Sequence, residues 1–193
     1  MEAGGTVGFA AMNASGAILV VEDDADVRRS ARIALASHVA TVDLIEAADA
    51  RLEEKLAAST FDVVLLDMNF VAGERSGAAG LDALARIQSV DPTLAVVLMT
   101  AYGGVSLAVD ALKKGAVDFV LKPWRNEKLI AAVTAAAKIT QTRRSVETQQ
   151  LDALERSAIE RALTRHAGNI SLTAAALGLS RAALYRRMSK YGL

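Results

Sequence analysis

The chain has no cysteine and, among 193 residues, only two histidines, His38 and His166, far apart in sequence. The first absence excludes disulfides and thiolate metal sites, and the second leaves a zinc centre or a histidine-based catalytic site without its ligands. Long apolar runs are missing as well. Stretches such as Ala95 to Met99 fall far short of the roughly 18 residues of a membrane span, and no basic segment followed by an apolar core opens the chain. This pattern reads as a cytoplasmic protein with no membrane partner. There is also no G-x-x-x-x-G-K-[ST] phosphate loop. Carboxylate, hydroxyl and lysine remain to do chemistry.

Hydrophobic residues make up 52% of the chain and charged residues 23%, a globular composition at a length that allows one full domain and a small one. The formal net charge is zero but unevenly placed. From Arg161 to the C-terminus there are six Lys/Arg and no Asp or Glu, so the rest of the chain carries about minus six. A sign asymmetry of this kind suits a tail that binds a polyanion, although a solvated helix face would look the same.

The opening segment, residues 1–16, is rich in Gly and Ala without a sustained period and reads as a flexible leader, with Met12 a second possible start. After it, five short apolar runs alternate with helical patterns. Ile18 to Val21 precedes Asp26 to Ser37, Thr41 to Ile45 precedes Ala48 to Ala58, and Val63 to Leu66 precedes Gly80 to Ser89. Leu94 to Met99 then precedes Ser106 to Lys113, and Val117 to Leu121 precedes Asn126 to Ile139. Runs that are β-branched and continuous, rather than alternating, predict strands buried on both faces of a parallel sheet, with helices on either side. In such sheets ligands sit at the carboxyl ends of the strands.

Residues 140–150, TQTRRSVETQQ, are polar and read as a linker or as a continuation of the preceding helix. From residue 151 to the end the pattern is all helical. Leu151, Leu154, Ala158, Ile159, Ala162 and Leu163 are expected on one face of a helix ending at Arg165. Ser171 to Leu177 and Arg181 to Lys190 follow, separated by Gly178-Leu179-Ser180, with Ser180 as an N-cap. Two short helices joined by a glycine turn predict a helix-turn-helix. Ala174, Ala175, Leu177, Leu179, Leu184 and Met188 are expected to form its small core.

The strand ends collect chemistry. Strand one ends in Glu22-Asp23-Asp24, strand three in Asp67 and strand four in Thr100, and strand five is followed by Lys122-Pro123. Taken alone, an aspartate after a strand is an ordinary turn or cap residue. Four such ends on one sheet edge bring carboxylates together with a hydroxyl and an ammonium, a set that suits a hard cation such as Mg²⁺ and an anion beside it.

In the motifs ILVVEDD, VVLLDMN, VVLMTAYG and DFVLKPW the chain resembles the receiver domain of bacterial response regulators, over about Ala17 to Ile139. The resemblance implies a flavodoxin-like (βα)5 fold and a phosphate-accepting Asp67, with Lys122 and Thr100 assisting. It also implies Mg²⁺ held by Asp23, Asp67 and the backbone carbonyl of Asn69 with help from Glu22, and a switch made of Thr100 and Phe119. The loop NFVAGERSGAAGL is several residues longer than is usual in that family and lacks its proline. The stretch from Leu154 to the end resembles the Fis-type helix-turn-helix of nitrogen-regulator-type activators. That resemblance implies a homodimer and double-stranded DNA as partner, with Ser180, Arg181 and Tyr185 near bases and Arg186 and Lys190 near phosphates. A sensor histidine kinase is the implied phosphoryl donor. The central ATPase common in such activators has no room here, so the expectation is a transcription regulator that turns over no substrate and catalyses only its own phosphorylation and dephosphorylation. Two rivals remain. An aspartate-nucleophile phosphohydrolase would carry D-x-D after the first strand, and an interaction relay whose last helices only dimerise would not need a basic recognition helix.

Overall fold

The computed structural model describes residues 16–46, 50–68, 77–101 and 105–193. All of the expected leader but Gly16, and Asn69, lie outside these residues. The chain divides into two compact units, residues 1–143 and 144–193.

In the first unit five parallel strands, β1 (Ala17–Val21), β2 (Thr41–Ile45), β3 (Val63–Asp67), β4 (Ala95–Ala101) and β5 (Asp118–Lys122), pair in the order β2-β1-β3-β4-β5. This is the flavodoxin-like order, and the five-stranded parallel sheet expected from the sequence is borne out. The helices between them are α1 (Ala25–Leu35), α2 (Ala50–Ala58), α3 (Ala78–Val90) and α4 (Val105–Lys113), with α5 (Asn126–Arg165) after β5. Because side chains alternate along a strand, each central strand feeds two cores. Ile18, Val20, Val63, Leu65, Val97 and Met99 pack on α1 and the first part of α5, through Leu35, Leu129 and Val133. Leu19, Val21, Val64, Leu66, Val96 and Leu98 pack on α2, α3 and α4, through Leu52, Leu84, Ile87 and Ala111. Burial on both faces is why these strands read as continuous apolar runs.

Two close fits fix the helices against the sheet. A Cβ on Gly80 would lie 2.8 Å from the Met68 Cα, so the start of α3 can approach the end of β3 only as glycine. At the opposite edge Thr140 is fully buried. Its hydroxyl accepts from the Ala95 N–H at 2.9 Å and donates to the Asp62 carbonyl at 2.7 Å. The polar stretch 140–150 is therefore no loop. It is helical throughout as part of α5, and its first residue belongs to the packing of the first unit.

The second unit holds the remainder of α5 with α6 (Ile170–Ala176) and α7 (Arg181–Tyr191). Asn169 caps α6 by accepting from the Leu172 N–H, and Ser180 caps α7 by accepting from the Ala183 N–H at 3.2 Å. Gly178, at φ 66°, takes the left-handed turn between them. The core is Ile159, Ala174 and Leu184, ringed by Leu163, Ile170, Leu177, Leu179, Met188 and Tyr191. Two sequence expectations are corrected. Ala175 is exposed rather than in the core, because on this short helix Thr173 and Ala174 take the inward positions. Leu151 and Leu154, expected on one face with the packed Ile159 and Ala162, stand 60% and 66% exposed. That packed face is occupied one and two turns earlier by Glu155 and Asp152, which bond to α7.

Replacing Thr140 by Val removes one partner from a buried amide and from a half-buried carbonyl at once. The change is expected to destabilise the first unit by about 1–3 kcal/mol, read as a lower urea midpoint for the full chain. A midpoint equal to that of the parent would contradict this role.

Candidate functional site

Every strand in the sheet runs the same way, so the carboxyl ends of β1, β3, β4 and β5 share one edge. The register places Asp67 beside Met99, Thr100 beside Leu121 and Ala101 beside Lys122. Asp67 ends β3 as expected, Thr100 stands one residue before the end of β4, and Lys122, expected just after β5, is its last residue. Asp67 is 3% exposed, Thr100 and Glu22 1% each, while Asp23 is open to solvent.

The Lys122 ammonium joins this edge together. Its Nζ lies 2.5 Å from Glu22 Oε2 and 2.8 Å from Asp67 Oδ1, bridging the end of β1 to the end of β3. Asp67 Oδ1 also accepts from the Met68 N–H at 2.8 Å. Ligand atoms of Glu22, Asp23 and Asp67 all lie within 4.8 Å of one another. Three carboxylates against one ammonium leave excess negative charge in a largely buried place, and the oxygen-only donor set with one solvent-facing member fits a hard divalent cation that keeps some of its water. Burial pushes the Glu22 carboxyl up to about 7, against the lowering effect of the Lys122 hydrogen bond and charge, and the neighbouring Asp67 charge adds to the rise.

The turn that carries the acidic pair is held from behind by Arg28. Its Nη1 donates to the carbonyls of Glu22 at 2.6 Å and Asp23 at 2.8 Å, and its Nη2 lies 3.6 Å from Glu46. Asp24 caps α1 through the Asp26 and Val27 N–H groups, which hold its carboxyl below the usual range. Arg28 was not singled out from the sequence. The signal available was a cation one helical turn after the capping Asp24, a spacing common enough on solvated helices to pass as ordinary.

Thr100 is the next-to-last residue of β4, with its hydroxyl 3.4 Å from the Ala101 carbonyl. Phe119 is half-buried, pairs with Leu98 and packs against the core beneath α3 and α4. It also lines a groove with Trp124, Arg125 and Lys128.

In the second unit Arg181, Tyr185 and Arg186 are exposed on α7, and Leu184 points into the core. Arg181 and Tyr185, four residues apart, share one face of the helix. Ser180 uses its hydroxyl as the helix cap. Lys190, expected near phosphates, is exposed and lies 2.7 Å from Asp152 of α5.

The Glu22 shift sets the pH behaviour of this edge. A carboxyl raised from 4.5 to about 7 takes up a proton on folding, so its contribution to stability is fully present below pH 4.5 and is lost as pH rises through 7. A divalent cation held by these carboxylates would compete with that proton. Apparent Mg²⁺ affinity, followed by the fluorescence of the single tryptophan, Trp124, should therefore rise about tenfold between pH 6 and 8. An affinity flat across that interval would show that Glu22 is not coupled to the cation. Arg28→Ala should weaken the same affinity by loosening the turn, and an unchanged titration would remove Arg28 from the site.

Comparisons with known proteins match this geometry. Residues 18–134 match the family of response regulator receiver domains, and residues 150–191 match the bacterial regulatory protein Fis family. The transcriptional regulatory protein FixJ of Bradyrhizobium diazoefficiens is 34% identical over 66% of this chain and 59% of its own length. The alginate biosynthesis transcriptional regulatory protein AlgB of Pseudomonas aeruginosa is 36% identical over 72% of this chain and 29% of its own. The chain thus spans less than two thirds of either relative. Among solved structures, the receiver domain of a two-component response regulator from Bacteroides fragilis is similar at 38% identity and TM-score 0.58, covering 64% of this chain and 97% of that one. NtrX from Brucella abortus is similar at 29% identity and TM-score 0.62, covering 70% of this chain and 29% of that one. With its acidic strand edge, its bridging lysine and a family match over most of its length, the chain belongs to the response regulators, with a receiver domain followed by a Fis-family segment.

Proposed function

We propose that the chain accepts a phosphoryl group on Asp67 from a sensor histidine kinase and, as a homodimer, regulates transcription by sequence-specific binding of double-stranded DNA through α7. The observation that carries the first half is the buried Asp67 carboxylate held 2.8 Å from the Lys122 ammonium inside a cluster of three carboxylates. In the proposed transfer a carboxylate oxygen of Asp67 attacks the phosphorus in line, the bond from phosphorus to the donor nitrogen breaks, and an acyl phosphate forms. Lys122 and the Thr100 hydroxyl balance charge on the equatorial oxygens. Mg²⁺ held by Asp23, Asp67 and the Asn69 carbonyl, with Glu22 assisting, would add positive charge beside those oxygens when bound. The new charge at Asp67 then draws Thr100 inward and Phe119 follows, biasing a two-state surface.

For the second half, support comes from the basic α7, from the Fis-family match and from the names of relatives, which are transcriptional regulatory proteins. The homodimer draws on the unpartnered Leu151 and Leu154 of α5. In this reading Ser180, Arg181 and Tyr185 meet base edges and Arg186 a phosphate.

Acetyl phosphate should label the parent chain, and Asp67→Asn should abolish that label; persistent labelling would mean a different acceptor. On DNA, Arg181→Ala should cost about 1–3 kcal/mol on a specific site, while Arg186→Ala should weaken all duplexes and flatten the salt slope by about one. Equal effects of both changes on every duplex would refute this division. Fluorescence anisotropy with and without Mg²⁺ and beryllofluoride tests the link between the two halves. Tighter specific binding with beryllofluoride supports the proposal, and no binding in either state favours an interaction relay.

A further inference from the structure

α7 carries four cations, Arg181, Arg186, Arg187 and Lys190, and the structure sorts them into two pairs. Among the described residues Arg181 and Arg186 have no carboxylate partner. The other two are engaged by α5. Arg187 Nε lies 2.5 Å from Glu155 Oε1, and Lys190 Nζ lies 2.7 Å from Asp152 Oδ1. Between them stands the half-buried Tyr191, its hydroxyl 3.0 Å from Asp152 Oδ1 and 2.6 Å from Glu155 Oε2. Having one proton, that hydroxyl donates to one carboxylate at a time and ties both to the last turn of α7. The Lys190 ammonium also sits 4.8 Å from the centre of the Tyr191 ring.

We propose that Asp152 and Glu155 occupy the role of DNA phosphates on the last turn of α7, withholding Lys190 and Arg187 from the duplex and leaving recognition to Arg181 and Arg186. This rests on the DNA-binding reading above and narrows it. Sequence-independent affinity for DNA grows with the number of phosphates a protein neutralises, whereas base reading does not depend on that number. Pairing two of four cations internally lowers the first quantity and spares the second, so the acidic pair determines specificity without touching DNA. Both carboxylates are held below the usual carboxylate range, Asp152 foremost by the Lys190 hydrogen bond and Glu155 foremost by that of Tyr191, so both stay charged at neutral pH. The arrangement is more than two exposed ion pairs, because the carboxylates converge on a tyrosine that packs against the core of the second unit.

The test uses the full chain and a mixed-sequence duplex, with affinity measured against salt concentration. Asp152→Asn keeps the size of the side chain and an acceptor for Tyr191 while removing the charge. It should tighten binding and steepen the salt slope by about one. Lys190→Ala should then flatten the slope by about one in the Asp152→Asn background and by clearly less in the parent. Equal flattening in both backgrounds, or no steepening by Asp152→Asn, overturns the proposal while leaving the DNA reading intact. A parent chain that binds no duplex overturns both. Should Asp152→Asn lose its helical circular dichroism, the Lys190 ammonium is followed by NMR in the parent: a signal unmoved by saturating duplex supports the pairing, and one that shifts overturns it.

Discussion

An ammonium between two buried carboxylates is stable only if the chain brings all three to one place and keeps water from separating them. In this protein the condition is met by the sheet. Each strand is followed by a helix that returns the chain to the opposite edge, so all five strands end on the same side and Glu22, Asp67 and Lys122 arrive at neighbouring ends. Charges this buried are costly unless paired, and the two apolar cores above and below the sheet confine them. The acidic edge, the cap at Asp24 and the Arg28 clamp on the turn behind it all depend on that shared direction.

The same edge is under-neutralised by design of its composition. One lysine faces three carboxylates, and burial raises the one most enclosed, Glu22, toward neutrality. A site in this condition favours whatever positive charge is offered and responds strongly to added negative charge. Both properties suit the phosphoryl transfer proposed for Asp67, and neither would follow from Asp67 alone. At the far edge of the sheet, Thr140 uses one hydroxyl to satisfy the entries of β3 and β4, so α5 is fastened at both ends of its contact with the first unit.

The second unit solves a different problem with few residues. Its core consists of three buried side chains and a ring of partly buried ones. Carboxylates on α5 supplement it, and in doing so they divide the cations of α7 into those that are committed and those that are free. Electrostatics here serves packing and, under the proposal above, partner choice as well.

Much of this was legible beforehand. Strand periodicity, the residues at strand ends and the glycine turn at Gly178 are local signals, and the elements they predict match the structure to within a few residues. The Glu22, Asp67 and Lys122 cluster was legible because parallel topology converts positions in sequence into positions on one edge. The helical path through residues 140–150 was only one of two readings, since a polar stretch is equally compatible with a solvated helix and a linker. Arg28, Thr140 and the pairing of Lys190 with Asp152 were not legible at all. Each joins a side chain to a partner on another element, and side-chain type alone does not reveal which carbonyl or carboxylate stands opposite. The sequence by itself determined the sheet, its order of elements and the chemistry at its edge, because these follow from hydrophobic period and chain direction. Only the tertiary structure decided which charges meet, because that depends on distances between elements that local pattern does not encode.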